Sequence, residues 1–144
     1  MKQILTNSII ALFLSLLLIG NIQAANDKLH KLVIQVSTDD PRTQKIALNN
    51  AVNLQKLYGM DNVVIEIVAY GPGLGLMTSN SKQASRVESL AMQDITFSAC
   101  QNTMNKMAKK TGKKPVLLEG VRVVPAGVAR LMEAQEQGYA YIRP

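Results

Sequence analysis

The sequence contains one cysteine, one histidine and no tryptophan among its 144 residues. A single cysteine excludes a disulfide framework and a dithiol redox centre within the chain. One cysteine and one histidine are also too few for a dedicated zinc site. Aromatic residues make up only 4% of the chain, which argues against a surface that stacks nucleic-acid bases. We therefore expect no metal and no nucleic-acid partner.

The first residues have the pattern of a secretory signal peptide. Lys2 supplies a positive start, an apolar run extends from Ile9 to Ile19, and Ile22-Gln23-Ala24 resembles a cleavage site. The alternative is a membrane anchor, but this run is much shorter than the roughly 20 residues that span a bilayer. The pattern predicts cleavage after Ala24, a periplasmic or secreted location, and no membrane span in the remaining chain.

Residues 25–144 are long enough for one domain, and strand and helix patterns alternate along them. Strands are predicted near 30–37, 63–70, 95–99, 121–124 and 139–142. Helices are predicted from Pro41 to Gly59, from Ser81 to Met92, from Cys100 to Lys110, and from Pro125 to Gly138. Alternation of this kind predicts an α/β, Rossmann-like domain of three layers. Its five-stranded sheet is mainly parallel, with helices on both faces.

Details of the helices also follow from the sequence. Asp40 suits an N-cap and Pro41 the first helical position. The segment 71–75 is glycine-rich and is predicted to be a loop. The inner face of the last helix is predicted to comprise Val128, Leu131, Met132 and Gln135.

Ligands of open parallel sheets bind beyond the carboxyl ends of the strands, near a topological switch point. The loops predicted at that edge are Ser37–Pro41, Gly71–Gly75, Ala99–Thr103 and Pro125–Gly127. His30 begins the first strand and is expected at the opposite edge. The glycine-rich loop lacks both common phosphate-binding patterns, so no nucleotide cofactor is predicted. Asp39 and Asp40 either pair as acid and base or simply begin a helix.

Cys100 is the candidate reactive residue, because it ends a predicted strand just before a helix. Free N–H groups at a helix N-terminus stabilise a thiolate and lower the pKa of the thiol. The alternative is a buried and inert cysteine, and position alone does not decide between the two. The lysines at 106, 109, 110, 113 and 114 are either a solvated helix end or a site for an anionic ligand or acidic partner.

Several segments together point to a family. They are His30–Ser37 with Asp39-Asp40-Pro41, Ile65–Gly73, Cys100–Met104, Val123–Val128 and the ending Gln135–Pro144. In combination they resemble the DsrE/DsrF-like family, and more closely its exported single-domain members. The resemblance implies assembly into homotrimers or hexamers, and a cysteine after the third strand that carries sulfur as a persulfide. Cys100 matches that position, although Gln101-Asn102-Thr103-Met104 differs from the alanine-rich helix start of the relay proteins.

The leading hypothesis is a periplasmic sulfur carrier or sulfurtransferase that uses Cys100, a homo-oligomer with a sulfur donor or acceptor protein as partner. The predicted pocket comprises Asp39, Gly71, Pro72, Gly73, Asn102, Thr103, Pro125 and Gly127. The alternative is a non-catalytic, homo-oligomeric binding module in which Cys100 is structural. A third possibility is a thiol sensor that forms a Cys100–Cys100 disulfide between chains.

Overall fold

The structure is a computed structural model that describes residues 29–144. The predicted signal peptide, residues 1–24, lies outside the described residues. The five strands are β1 His30–Val36, β2 Val63–Ala69, β3 Thr96–Cys100, β4 Val121–Val124 and β5 Ala140–Ile142. The four helices are α1 Pro41–Tyr58, α2 Ala84–Ala91, α3 Gln101–Thr111 and α4 Gly127–Glu136. Shorter 3₁₀ helices span Met60–Asn62 and Gly71–Met77.

The strands form one sheet in the order β4-β3-β2-β1-β5, and every neighbouring pair is parallel. The register places Ile34 opposite Ile67, which in turn lies opposite Phe97, and all three side chains are fully buried. The predicted parallel α/β fold is therefore confirmed. The strand order was not part of the prediction, because a parallel connection does not specify on which side the next strand adds.

This strand order explains why the two faces of the sheet are covered unequally. Helices α1, α2 and α3 each connect a strand to its next neighbour in the same direction, and right-handed connections place them on one face. Helix α4 returns the chain from β4 to β5 on the other side of β1, so it lies on the opposite face. The first face holds the large core and the second a small one, with Val33 and Val68 of the sheet against Leu131 and Ala134 of α4.

Two helix predictions agree closely with the structure. Asp40 caps α1, where its carboxylate accepts hydrogen bonds from the N–H of Thr43 at 2.7 Å and from the Thr43 hydroxyl at 2.6 Å. These bonds hold the pKa of Asp40 below its ordinary value. Helix α3 ends at Thr111, one residue beyond the predicted Lys110, and the residue that caps it, Gly112, has a left-handed backbone (φ 75°) and donates its N–H to the carbonyl of Ala108.

Several local predictions are wrong. Helix α2 begins at Ala84 rather than near Ser81. The segment 71–75 is part of the 3₁₀ helix Gly71–Met77, which extends to Met77 because Leu74, Leu76 and Met77 are drawn into the large core. The last helix begins at Gly127 rather than Pro125, and its buried face is rotated from the predicted one. Val128 and Met132 are 68% and 57% exposed, and Gln135 is exposed as well.

The rotation of α4 has an electrostatic cause. The inward positions of the helix are Gly127, Arg130, Leu131 and Ala134. Arg130 turns toward the sheet because it pairs with a buried carboxylate there, Glu66. The pattern of apolar residues alone places an arginine on the solvent side of a helix. The prediction therefore put Val128 and Met132 on the buried face instead.

Candidate functional site

Cys100 lies at the topological switch point of the sheet. Its strand, β3, leads into α3 on one face, whereas the adjacent strand β4 leads into α4 on the other. A crevice opens between the carboxyl ends of two such strands, because their connections diverge. Cys100 is the last residue of β3 and Gly127 the first of α4, so the N-termini of both helices meet at this crevice.

The thiol of Cys100 is surrounded by hydrogen-bond donors and is only 5% exposed. Burial by itself raises its pKa, since it disfavours the charged thiolate. The N–H of Gly127, the hydroxyl and N–H of Thr103 and the N–H of Asn102 act in the opposite direction and outweigh burial. The pKa of Cys100 is therefore held below that of an ordinary thiol. Chemically, the arrangement stabilises negative charge on this sulfur.

Gly127 allows the second helix to approach this closely. A Cβ at this position would lie 3.0 Å from Cδ1 of Tyr70 and 3.3 Å from the Cβ of Cys100. Contacts that short require a neighbour to move. The absence of a side chain thus brings the first N–H of α4 within hydrogen-bonding reach of the sulfur.

Thr103 connects the thiol to the turn that follows β2. Its Oγ1 accepts a hydrogen bond from the N–H of Gly71 at 2.9 Å. With that lone pair engaged, the hydroxyl proton is available to donate to the Cys100 sulfur. Gly71 therefore belongs to the site through its backbone.

The remaining residues of the predicted pocket fall into different environments. Gly73 is buried beneath the site, where a Cβ would lie 2.2 Å from the carbonyl oxygen of Val36, so its role is to pack the 3₁₀ helix against β1. Asn102 faces the sulfur with its backbone while its side chain is exposed. Pro125 is exposed just before α4, and Asp39 is exposed after β1.

A groove lies on the other side of Thr103, between the 3₁₀ helix Gly71–Met77 and α3. Its volume is ≈ 330 Å³. The residues that line it are Gly71, Pro72, Gly75, Thr103, Lys106, Met107 and Lys110. We call it the lysine groove. It brings three of the predicted pocket residues together with two members of the lysine cluster.

His30 and the acidic pair do not take part in the site. His30 is at the amino end of β1, the edge opposite to Cys100, and its ring stacks on Tyr58 at 3.8 Å between centroids. The interpretation of His30 as remote from the chemistry is consistent with this position. Asp40 is engaged in capping α1, which leaves no acid–base pair with Asp39.

Sequence reasoning missed a buried ionic cluster next to Cys100. Glu66 is 2% exposed, and its carboxylate accepts hydrogen bonds from Ser98 at 2.6 Å, from Arg122 at 2.7 Å and from Arg130 at 2.6 Å. Burial raises the pKa of Glu66, but these three partners outweigh it and the net shift is downward. Ser98 precedes Cys100 by two residues on the same face of β3, so the cluster lies directly behind the thiol.

One signal for this cluster is present in the sequence. Glu66 interrupts a strand in which every neighbour is apolar, and Arg122 does the same in β4. A charge inside a buried strand requires a partner, because an unpaired buried charge is costly. The sequence does not identify the partners of Glu66, since Arg122 and Arg130 follow it by 56 and 64 residues.

Residues 29–144 contain no cluster of three or more side chains suited to hold a metal ion. No helix in this part of the chain combines the length and apolar character needed to cross a membrane.

The fold and the site define a small parallel α/β protein with a cysteine at its switch point. A sequence profile of the DsrE/DsrF-like family matches residues 30–144. The chain belongs to this family, which is generally linked to sulfur relay.

Comparison with solved structures supports the same assignment. A protein of unknown function, MTH1491 from Methanobacterium thermoautotrophicum, is 33% identical and superposes with a TM-score of 0.71. The match covers 80% of this chain and 99% of that one. No curated protein matches the sequence.

Proposed function

We propose that this protein is a sulfur carrier that accepts sulfane sulfur on Cys100 as a persulfide and passes it to an acceptor thiol. The observation that carries the proposal is the convergence of two helix N-termini and the Thr103 hydroxyl on one thiol. A low thiol pKa raises the fraction of the nucleophilic thiolate. The same donors would stabilise the anionic persulfide that follows.

The transfer requires no oxidant. The Cys100 thiolate attacks the outer sulfur of a donor R–S–SH, forming a new S–S bond while the donor's S–S bond breaks. The donor leaves as R–S⁻ and takes up the proton, which gives R–SH and Cys100–S–S⁻. An acceptor thiolate then attacks the outer sulfur and regenerates the Cys100 thiolate. Since the chain has one cysteine, no second thiol of the same chain can release the sulfur by forming a disulfide.

Mass spectrometry of the intact protein tests this proposal. After treatment with sodium polysulfide, we expect an adduct of about 32 Da, one sulfur atom, on the wild type and none on Cys100→Ser. Because the chain has 7 methionines, two added oxygens give nearly the same mass. Dithiothreitol separates the two, since it removes a persulfide but not methionine oxidation. A missing adduct on the wild type, or an equal and reducible one on Cys100→Ser, contradicts the proposal.

The second candidate function is a non-catalytic binding module, and the low exposure of Cys100, 5%, favours it. In that case Cys100 only packs beneath α4. Titration with a small thiol reagent under native conditions distinguishes the two, because a packing role predicts a thiol that reacts only after unfolding. A dimer that dissociates on reduction during electrophoresis would indicate the third function, a sensor with a Cys100–Cys100 disulfide.

We also propose that the protein acts outside the cytoplasm and assembles with copies of itself. The support for export is the signal-peptide pattern that ends at Ala24. The support for assembly is the family resemblance, together with the apolar side chains of Val128 and Met132 exposed on α4.

A further inference from the structure

The lysine groove has a chemistry that the proposed role of Cys100 does not use. Two of its walls are apolar, with Pro72 on the 3₁₀ helix and Met107 on α3. Lys106 and Lys110 line it from the same helix, one turn apart, so their ammonium groups project on the same side. The groove is therefore both apolar and cationic.

Within residues 29–144, no acidic side chain forms an ion pair with these lysines. No aspartate or glutamate occurs in the sequence between Ile95 and Leu118, or between Tyr70 and Val87, the segments that form the groove. Within residues 29–144, the ion pairs are those of Arg122 and Arg130, and none involves a lysine. An uncompensated positive groove concentrates anions.

The groove and the thiol share a wall. Thr103 lines the groove and also donates its hydroxyl to the Cys100 sulfur, and Gly71 lines the groove and donates to Thr103. A molecule held in the groove therefore sits one side chain away from the sulfur. Its size is limited, because the volume of ≈ 330 Å³ suits a small molecule.

We propose that the lysine groove binds the anionic part of a small sulfane-sulfur donor and directs its reactive sulfur to Cys100. The inference rests on the proposed carrier function and adds a substrate class: a low-molecular-mass persulfide or thiosulfonate that carries a carboxylate or sulfonate. Lys106 and Lys110 pair with the anionic group, while Pro72 and Met107 contact the carbon chain of the donor.

A pair of oppositely charged thiol reagents tests the groove. Sulfonatoethyl and trimethylammonioethyl methanethiosulfonate have the same reactive group. The Cys100 thiolate attacks the sulfur that carries the charged chain, forms a mixed disulfide and releases methanesulfinate. We measure both rates at neutral pH and take their anion-to-cation ratio. In the wild type we expect the anionic reagent to react faster.

Two double variants separate the groove from general charge. Lys106→Gln/Lys110→Gln removes two charges from the groove, and we expect the ratio to fall about five- to tenfold. Lys109→Gln/Lys113→Gln removes the same charge from the same region but from residues outside the groove lining. We expect it to change the ratio less than about twofold. Circular dichroism and thermal melting of both variants check that the fold is retained.

The outcomes also separate this inference from the proposed function. If the two double variants change the anion-to-cation ratio equally, or if neither changes it, the proposal that the lysine groove binds the anionic donor is overturned. If Lys106→Gln/Lys110→Gln still forms the reducible adduct of about 32 Da with excess polysulfide, the carrier function stands whatever the ratio shows. If the wild type forms no persulfide, the donor assignment fails, even where the reagents prove that anions are preferred.

Discussion

The hydroxyl of Thr103 connects the Cys100 thiol to the backbone of Gly71. It accepts from the N–H of Gly71 at 2.9 Å and donates to the Cys100 sulfur. A hydroxyl can do both at once, whereas the isosteric methyl of valine can do neither. The ionisation of Cys100 is thus sensitive to one oxygen atom in its surroundings.

We predict that Thr103→Val raises the pKa of Cys100. The thiolate is the reactive form, so alkylation by iodoacetamide accelerates as the pH rises through this pKa. In the wild type the midpoint should lie below that of an ordinary thiol, about 8.5. Thr103→Val should move the midpoint to higher pH and slow alkylation at neutral pH. Stopped-time alkylation followed by mass spectrometry gives the profile.

Thr103→Ser is the matched control, because it keeps the hydroxyl and removes only a methyl group. Its midpoint should remain near that of the wild type. If the valine and serine variants have the same profile, the hydroxyl does not stabilise the thiolate. In that case the backbone donors alone account for the lowered pKa.

At the scale of elements, the Glu66 cluster fixes α4 to the sheet. Arg130 lies one turn after Gly127, and its guanidinium holds both carboxylate oxygens of Glu66, with Nη2 at 2.6 Å and Nε at 2.9 Å. The helix that supplies a donor to Cys100 is therefore anchored by an ion pair within its first turn. We infer that this anchor positions the N–H of Gly127.

We predict that Glu66→Gln lowers the free energy of unfolding by about 3 kcal/mol at neutral pH, because the largely buried Arg130 loses the charge of its nearest partner, which lies 2.6 Å away. Glu66 has a depressed pKa in the folded state. Its contribution is present above the unfolded pKa of about 4.3 and is lost as the pH falls through the lower folded value. In urea unfolding, the free energy of unfolding of the wild type should thus fall below about pH 4.3, and it should fall more steeply than that of the variant.

The same variant tests the anchor. If α4 loosens, the Cys100 alkylation profile of Glu66→Gln should move to higher pH. Glu133→Gln is the control, since Glu133 is exposed and lies 3.6 Å from the outer nitrogen of Arg130. A profile that stays at the wild-type position while stability falls would show that the cluster stabilises the fold without positioning Gly127.

The helices and strands also show which features of the fold can be predicted from the sequence. The period of apolar residues and the cap at Asp40 are local signals, and they predicted the strands and most helix ends correctly. The position of Cys100 at a strand end was equally local. By contrast, the pairing of Glu66 with Arg130 joins residues far apart in sequence, and it rotated α4 away from the face that Val128 and Met132 suggested. The 3₁₀ helix after β2 likewise depends on contacts with residues far away in sequence, because Leu74, Leu76 and Met77 pack into the large core.

On the scale of the whole molecule, the two faces of the sheet are unequal. In the part of the chain that the structure describes, three helices cover one face and α4 covers the other. Val128 and Met132, four residues apart on α4, form an apolar strip that solvent reaches. This strip lies on the helix that covers Cys100, so an assembly through α4 would enclose the thiol further.

We predict that the wild type sediments as a trimer or hexamer and that Val128→Glu/Met132→Glu sediments at a lower mass. Charges on an apolar contact oppose association, because they would be buried without partners. Leu57→Glu is the control, since Leu57 is 70% exposed near the end of α1 on the opposite face. Sedimentation equilibrium at several protein concentrations gives the masses. A monomeric wild type contradicts the assembly, and an unchanged mass of the double variant places the contact elsewhere than on α4.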